Sequence, residues 1–128
     1  EEFREIADLH RRLSAEFEAA PEDPAWSERA TSAFSADVQH LSDQAGVRLR
    51  TLRCRGHRCR AEVAMETPGI EGIARTTRAV MSHQFALNCQ RTVYFVDHSV
   101  GGDDHAGFID WNCAPTQLPG PAAVPAGI

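Results

Sequence analysis

Between positions 3 and 17 the apolar side chains Phe3, Ile6, Leu9, Leu13 and Phe17 recur at spacings of three and four, one stripe of an amphipathic helix. The helix has no start signal of its own, and Pro21 and Pro24 close it off. Asp23-Pro24 then reads as an N-cap followed by proline in a first helical turn. Trp26, Ala30, Phe34, Val38, Leu41 and Ala45 supply the buried stripe of this second helix, and Gly46 ends it in the left-handed conformation. After Gly46 the period falls to two. Residues 47–55 and 58–66 predict the strands of a hairpin that turns at Gly56. In the second strand Cys59, Ala61, Val63 and Met65 point one way, and Arg58, Arg60, Glu62 and Glu66 the other. The first strand changes parity between Val47 and Leu49 on one side and Leu52 and Cys54 on the other, which predicts a bulge or twist near Thr51.

Thr67-Pro68 repeats the cap-then-proline signal, and Ile70, Ile73, Thr77, Val80, Met81, Gln84 and Phe85 follow at helical spacing to about Asn88. Residues 91–98 and 105–112, rich in Val, Tyr, Phe, Ile and Trp, predict a second hairpin around Gly101-Gly102. The order helix, helix, hairpin, helix, hairpin predicts an α+β fold. In it an antiparallel four-stranded sheet of two hairpins packs against helices two and three. Residues 1–20 add an N-terminal amphipathic helix, a lid or a stalk; residues 21–113 form the domain. Four prolines and few large apolar residues in 114–128 predict a mobile tail.

A length of 128 residues and a hydrophobic fraction of 42% suit one domain with one core. No apolar run approaches the roughly 18 residues needed to span a bilayer. The start at Glu1-Glu2-Phe3, without Met or a leader, leads us to expect that an upstream segment was removed, and any membrane anchorage would lie there. A formal net charge of -5 argues against general nucleic-acid binding. The charge is unevenly placed, however: all 13 basic residues are arginine, and Arg48, Arg50, Arg53, Arg55, Arg58 and Arg60 crowd into the first hairpin with His57 at its tip. Guanidinium groups in such a row fit the carboxylates or phosphates of an acidic protein or an anionic envelope component. The competing reading is a charged strand that protects its edge and pairs with Glu62 and Glu66.

Cys54, Cys59, Cys89 and Cys113 make an even set with three possible pairings. Closing the first hairpin sets Cys54 opposite Cys59 within disulfide range, which leaves Cys89 for Cys113 and pins the end of the second hairpin to the third helix. Two disulfides imply an oxidising compartment, periplasmic or extracellular. A zinc site on Cys54, His57 and Cys59 with Cys89 or Cys113 is the alternative, though its four-residue cysteine spacing departs from the usual two. A second candidate for zinc or another divalent metal is the tip of the second hairpin, where His98 and His105 would face each other with Asp97, Asp103 and Asp104 nearby. No nucleophile elbow, phosphate loop, zinc-protease helix or haem-attachment motif is present, so no enzyme is indicated and no cofactor is expected.

The stretch Glu22-Asp23-Pro24-Ala25-Trp26, followed by Leu52-Arg53-Cys54-Arg55 and Cys59-Arg60-Ala61-Glu62-Val63, resembles envelope proteins of proteobacteria over about half the chain. The resemblance implies a leader or anchor ahead of the domain, a periplasmic location and a cysteine pair in the hairpin; it implies no activity. The expected function is therefore a non-catalytic interaction domain of an exported protein whose arginine hairpin meets an anionic partner, with metal binding or sensing as the alternative.

Overall fold

The computed structural model describes residues 2–66, 69–97 and 105–114. Its elements run α1 (Glu2–Ala19), α2 (Pro24–Ala45), β1 (Val47–Arg55), β2 (Arg58–Met65), α3 (Gly69–Ser82), β3 (Gln90–Asp97) and β4 (His105–Asn112). The strands form one antiparallel sheet in the order β1-β2-β4-β3, so the two hairpins join through β2 and β4. The fold is α+β, as the alternation of periods predicts.

Local chemistry accounts for most boundaries. The Asp23 carboxylate accepts from the Trp26 amide at the start of α2, with Pro24 in the first turn. At the other end Gly46 adopts φ 67° and its N–H returns to the Ser42 carbonyl, so the helix closes where a Cβ would be strained. The buried residues of α2 are Trp26, Ala30, Phe34, Val38, Leu41 and Ala45, the stripe read from the periodicity. The β1–β2 register slips between Leu49 and Thr51, and Arg50 is the extra residue. That bulge lets Leu49 and Leu52 share a face despite their opposite parity.

Strand alternation divides the molecule into two unlike seams. On one face Cys59, Ala61, Val63, Ile109 and Trp111 join the α2 stripe, Val80, Phe85 and Leu87 in the main core. Trp111 stacks on Phe34 at 4.2 Å and meets the edge of Phe85 at 5.4 Å. Each such large side chain contributes about 1.5–3 kcal/mol by leaving water. The opposite face carries α1, in the position of a lid. There a small cluster of Tyr94 and Phe108 meets the partly buried Ile6, Leu9, Leu13 and Val96. The domain is thus three layers: α1, the sheet, and α2 with α3.

The third helix departs from expectation in two ways. It ends at Ser82, six residues before Asn88, and it buries Gly72, Thr76 and Val80 while Ile70 and Met81 stay 84% and 54% exposed. Side chains from elsewhere enforce the stop. The Arg91 guanidinium donates to the Val80 and His83 carbonyls at 2.6 and 2.8 Å, satisfying the helix end. Asp37 of α2 accepts from the Ala86 amide at 3.0 Å and stands 3.0 Å from His83 Nε2, fixing the following loop. Phe85 and Leu87 then enter the core from that loop, not from the helix. With the volume filled by them, the small residues Gly72 and Thr76 face inward and the helix is turned away from its larger apolar stripe.

Both disulfides join the expected partners, Cys54 to Cys59 and Cys89 to Cys113. The second lies just beyond the Gln90–Asn112 pair, so it clamps the open end of the β3–β4 hairpin. Its attachment is to that hairpin and not to α3, which ends seven residues earlier. The residue separations of 5 and 24 order the two by loop entropy. Loop closure assigns about 2 kcal/mol to the shorter and about 3.5 kcal/mol to the longer. Urea unfolding of Cys54→Ala/Cys59→Ala and Cys89→Ala/Cys113→Ala is expected to show the larger loss for the second pair.

Candidate functional site

Because β1 and β2 pair with Arg53 opposite Arg60 and Arg55 opposite Arg58, these four side chains share the face that α1 covers. Acids from α1 and the following linker meet them. Arg58 pairs with Glu16 at 3.3 Å, Arg53 with Glu18 at 3.2 Å, and Arg55 with Glu22 at 2.9 Å. Arg55 Nε also donates to the Ala20 carbonyl at 2.9 Å. His57 at the tip lies 3.4 Å from Asp23 and edge-on to Trp26. The hairpin tip and the linker fit without slack: Gly56 has φ 63°, and a Cβ there would stand 2.7 Å from the Pro21 carbonyl oxygen. These carboxylate partners are what sequence reasoning missed, since it sought acids only within the hairpin. A signal existed, because Glu16 and Glu18 sit in the last turns of α1 with no basic residue there. Acids at that end oppose the helix dipole and so call for cations from outside the helix.

Deeper under α1 is a polar lock. Arg60 makes a two-point pair with Asp110, Nε to Oδ1 at 2.9 Å and Nη2 to Oδ2 at 3.4 Å, the two side chains being 15% and 12% exposed. Its Nη1 donates to Ser14 Oγ at 2.7 Å and its Nη2 to the Tyr94 hydroxyl at 3.1 Å. That hydroxyl lies 3.0 Å from His10 Nδ1. The Arg60 guanidinium also faces the rings of Phe108 and Phe17 at 5.4 and 5.9 Å, and Arg53 covers Phe17 from 5.1 Å. Two of these contacts lead to α1, one directly to Ser14 and one through Tyr94 to His10, while the pair with Asp110 lies within the sheet. The arrangement holds the Arg60 charge in place between the sheet and α1.

The remaining two arginines differ. Arg50, on the bulge, reaches Glu62 only at 3.6 Å, and Arg48 makes no ion pair among the described residues. They line a cleft of about 500 Å³ between β1 and the second half of α2, with Val38, Gln39, Ser42, Leu49 and Ala64. Leu49 is 37% exposed at its edge. A second cleft, about 420 Å³, lies at the hairpin tip between Glu16, Ala19, Ala20, Pro21, His57, Arg58, Asn112 and Cys113. In that cleft the only guanidinium, Arg58, already faces Glu16.

The metal candidates stand as follows. Cys54, Cys59, Cys89 and Cys113 are all disulfide-bonded, so none offers a thiolate. In the β3–β4 hairpin the backbone of His105 pairs with that of Asp97. His98, Asp103 and Asp104 lie outside the described residues, as does the segment 115–128. Among the described residues no group of three or more His, Cys, Asp or Glu side chains is arranged to hold a metal ion. No described helix is long and apolar enough to cross a membrane. Comparison with known proteins finds no matching family model, curated protein or solved structure.

Two measurements probe this site. Burial first, and the Asp110 carboxylate second, raise the Tyr94 pKa far above the ordinary tyrosine value against the opposing pull of Arg60. The neutral phenol is therefore favoured in the folded state. Its contribution to stability is full below about pH 10, the unfolded tyrosine range, and is lost as pH rises beyond it. Tyr94 is the single tyrosine, so the phenolate absorbance of the whole protein should appear only in strong alkali, together with loss of near-ultraviolet circular dichroism. Ionisation near the ordinary value in folded protein would contradict a buried Tyr94. Separately, Gly56→Ala is expected to destabilise the fold by roughly 2 kcal/mol, by combining a left-handed backbone with a collision at Pro21. Thermal unfolding of that variant checks it.

Proposed function

We propose that the chain is a non-catalytic interaction domain of an exported bacterial envelope protein, and that it receives an anionic group of its partner in the cleft between Arg48 and Arg50. The carrying observation is the division of labour among the six hairpin arginines. Arg53, Arg55, Arg58 and Arg60 have carboxylates within 3.4 Å, whereas among the described residues Arg48 makes no ion pair and Arg50 reaches Glu62 at 3.6 Å. Arg48 and Arg50 open on a cleft in which Ser42 and Gln39 add hydroxyl and amide groups and Leu49 an apolar edge. Such a set suits a carboxylate or phosphate carried on a partially apolar partner.

The location belongs to the same proposal. Two disulfides fit an oxidising compartment, and the resemblance of the Asp23-Pro24-Ala25-Trp26 and Cys54-to-Cys59 stretches to envelope proteins favours the periplasm or the exterior.

Binding to immobilised poly-glutamate at low ionic strength tests the cleft. Wild-type protein should bind and be released by salt, as screened charges require. Arg48→Ala/Arg50→Ala should bind at least about tenfold more weakly, since a charge-assisted hydrogen bond contributes about 1.5–3 kcal/mol. Undiminished binding by the folded double variant removes the proposal.

A further inference from the structure

The sheet face beneath α1 is a second surface, separate from the Arg48–Arg50 cleft. We infer that it is a helix-docking groove for an acidic amphipathic helix of a partner protein, with α1 as its occupant in cis. Three observations carry this. First, α1 is not needed to complete the main core, because none of its described side chains belongs to the cluster of α2, α3 and the sheet, and both disulfides lie outside it. Second, its apolar contacts are uneven: Ile6, Leu9 and Leu13 are only partly buried against Tyr94, Phe108 and Val96, and Phe17, which is buried, lies against the Arg53 and Arg60 guanidinium groups. Third, the seat is built for a ligand of definite chemistry. An apolar strip at Tyr94 and Phe108 runs toward Arg58 and Arg53, which take Glu16 and Glu18, and Arg60 between them reaches Ser14.

A helix with apolar residues at three- and four-residue spacing and carboxylates in its last turns satisfies each of these groups. Charge complementarity selects an acidic helix over a basic or neutral one. The exposed pairs of Arg53 and Arg58 hold α1 weakly and are screened by salt. By contrast the linker is held firmly, with Arg55 on the Ala20 carbonyl and Gly56 against Pro21. The expected opening is therefore a swing of α1 about residues 20–21 while the rest of the domain keeps its core. Tethering gives α1 a high effective concentration at the seat, so a helix in trans becomes visible when the contacts of α1 are weakened.

The test uses the full chain with Glu16→Lys and Glu18→Lys and a fluorescent peptide of residues 1–20. The peptide should bind this variant at least tenfold more tightly than it binds the wild-type chain, and a peptide carrying the same two substitutions should fail to bind. Arg48→Ala/Arg50→Ala in addition should leave peptide binding unchanged, so failure of this groove and failure of the cleft are seen separately. An absence of peptide binding, with the near-ultraviolet signal of Trp26 and Trp111 intact, overturns the inference. A concentration-dependent dimer of the variant that excludes the peptide also overturns it, by putting the helix of a second copy in the groove. Should the variant not fold, hydrogen exchange of the wild-type chain decides. Amides of α1 should exchange at least tenfold faster than those at 30–41 in α2, and equal protection refutes a detachable α1.

Discussion

Strand β2 is the constraint on which the architecture turns. Its side chains alternate between Cys59, Ala61 and Val63, which are fully buried, and Arg58, Arg60 and Glu62, which are partly exposed. A pleated strand cannot mix the two sets, so one face of the sheet must take an apolar layer and the other a polar one. As the strand lies between β1 and β4, its alternation is imposed on both neighbours through the register. Asp110 therefore arrives opposite Arg60, and Trp111 opposite Cys59. The apolar face is closed by α2 and α3. The polar face is closed by α1, whose buried Phe17 lies against two guanidinium groups.

The two seams differ in energetic character. Under α2, cohesion comes from area removed from water and from aromatic stacking of Phe34, Phe85 and Trp111. Under α1 it comes from directed groups, chiefly Arg60 with Asp110, Ser14 and Tyr94. A buried ion pair adds little net stability relative to an apolar pair of the same size, because desolvation offsets much of the attraction. What it adds here is register: Ser14 has one guanidinium nitrogen to meet, and sliding α1 by a turn leaves that donor unmatched.

Much of this was legible in the chain. The α2 stripe from Trp26 to Ala45, the cap at Asp23 and the left-handed Gly46 are local, so periodicity and capping chemistry reveal them directly. The bulge was visible as the parity change between Leu49 and Leu52, and the Cys54–Cys59 bond followed from the two-residue turn. Helix α3 was misread because its length and orientation depend on distant side chains, Arg91 and Asp37, and on Phe85 and Leu87 filling the core from a loop. The arginine cluster was also half legible. Its positions on the hairpin could be read, but their carboxylates lie 33 to 50 residues away for Arg53, Arg55 and Arg60. Only folding brings those together, and only then do Arg48 and Arg50 stand apart from the rest.

The placement of the crosslinks bears on how the domain would respond to mechanical load. Both covalent bridges close loops downstream of Arg53, one of them across the open end of a hairpin. Tension applied through the first residues would find no bridge before the linker at 20–23. Such tension would bear on α1 ahead of the bridged sheet, and lifting α1 would uncover the guanidinium groups of Arg58 and Arg60, which are 27% and 15% exposed beneath it.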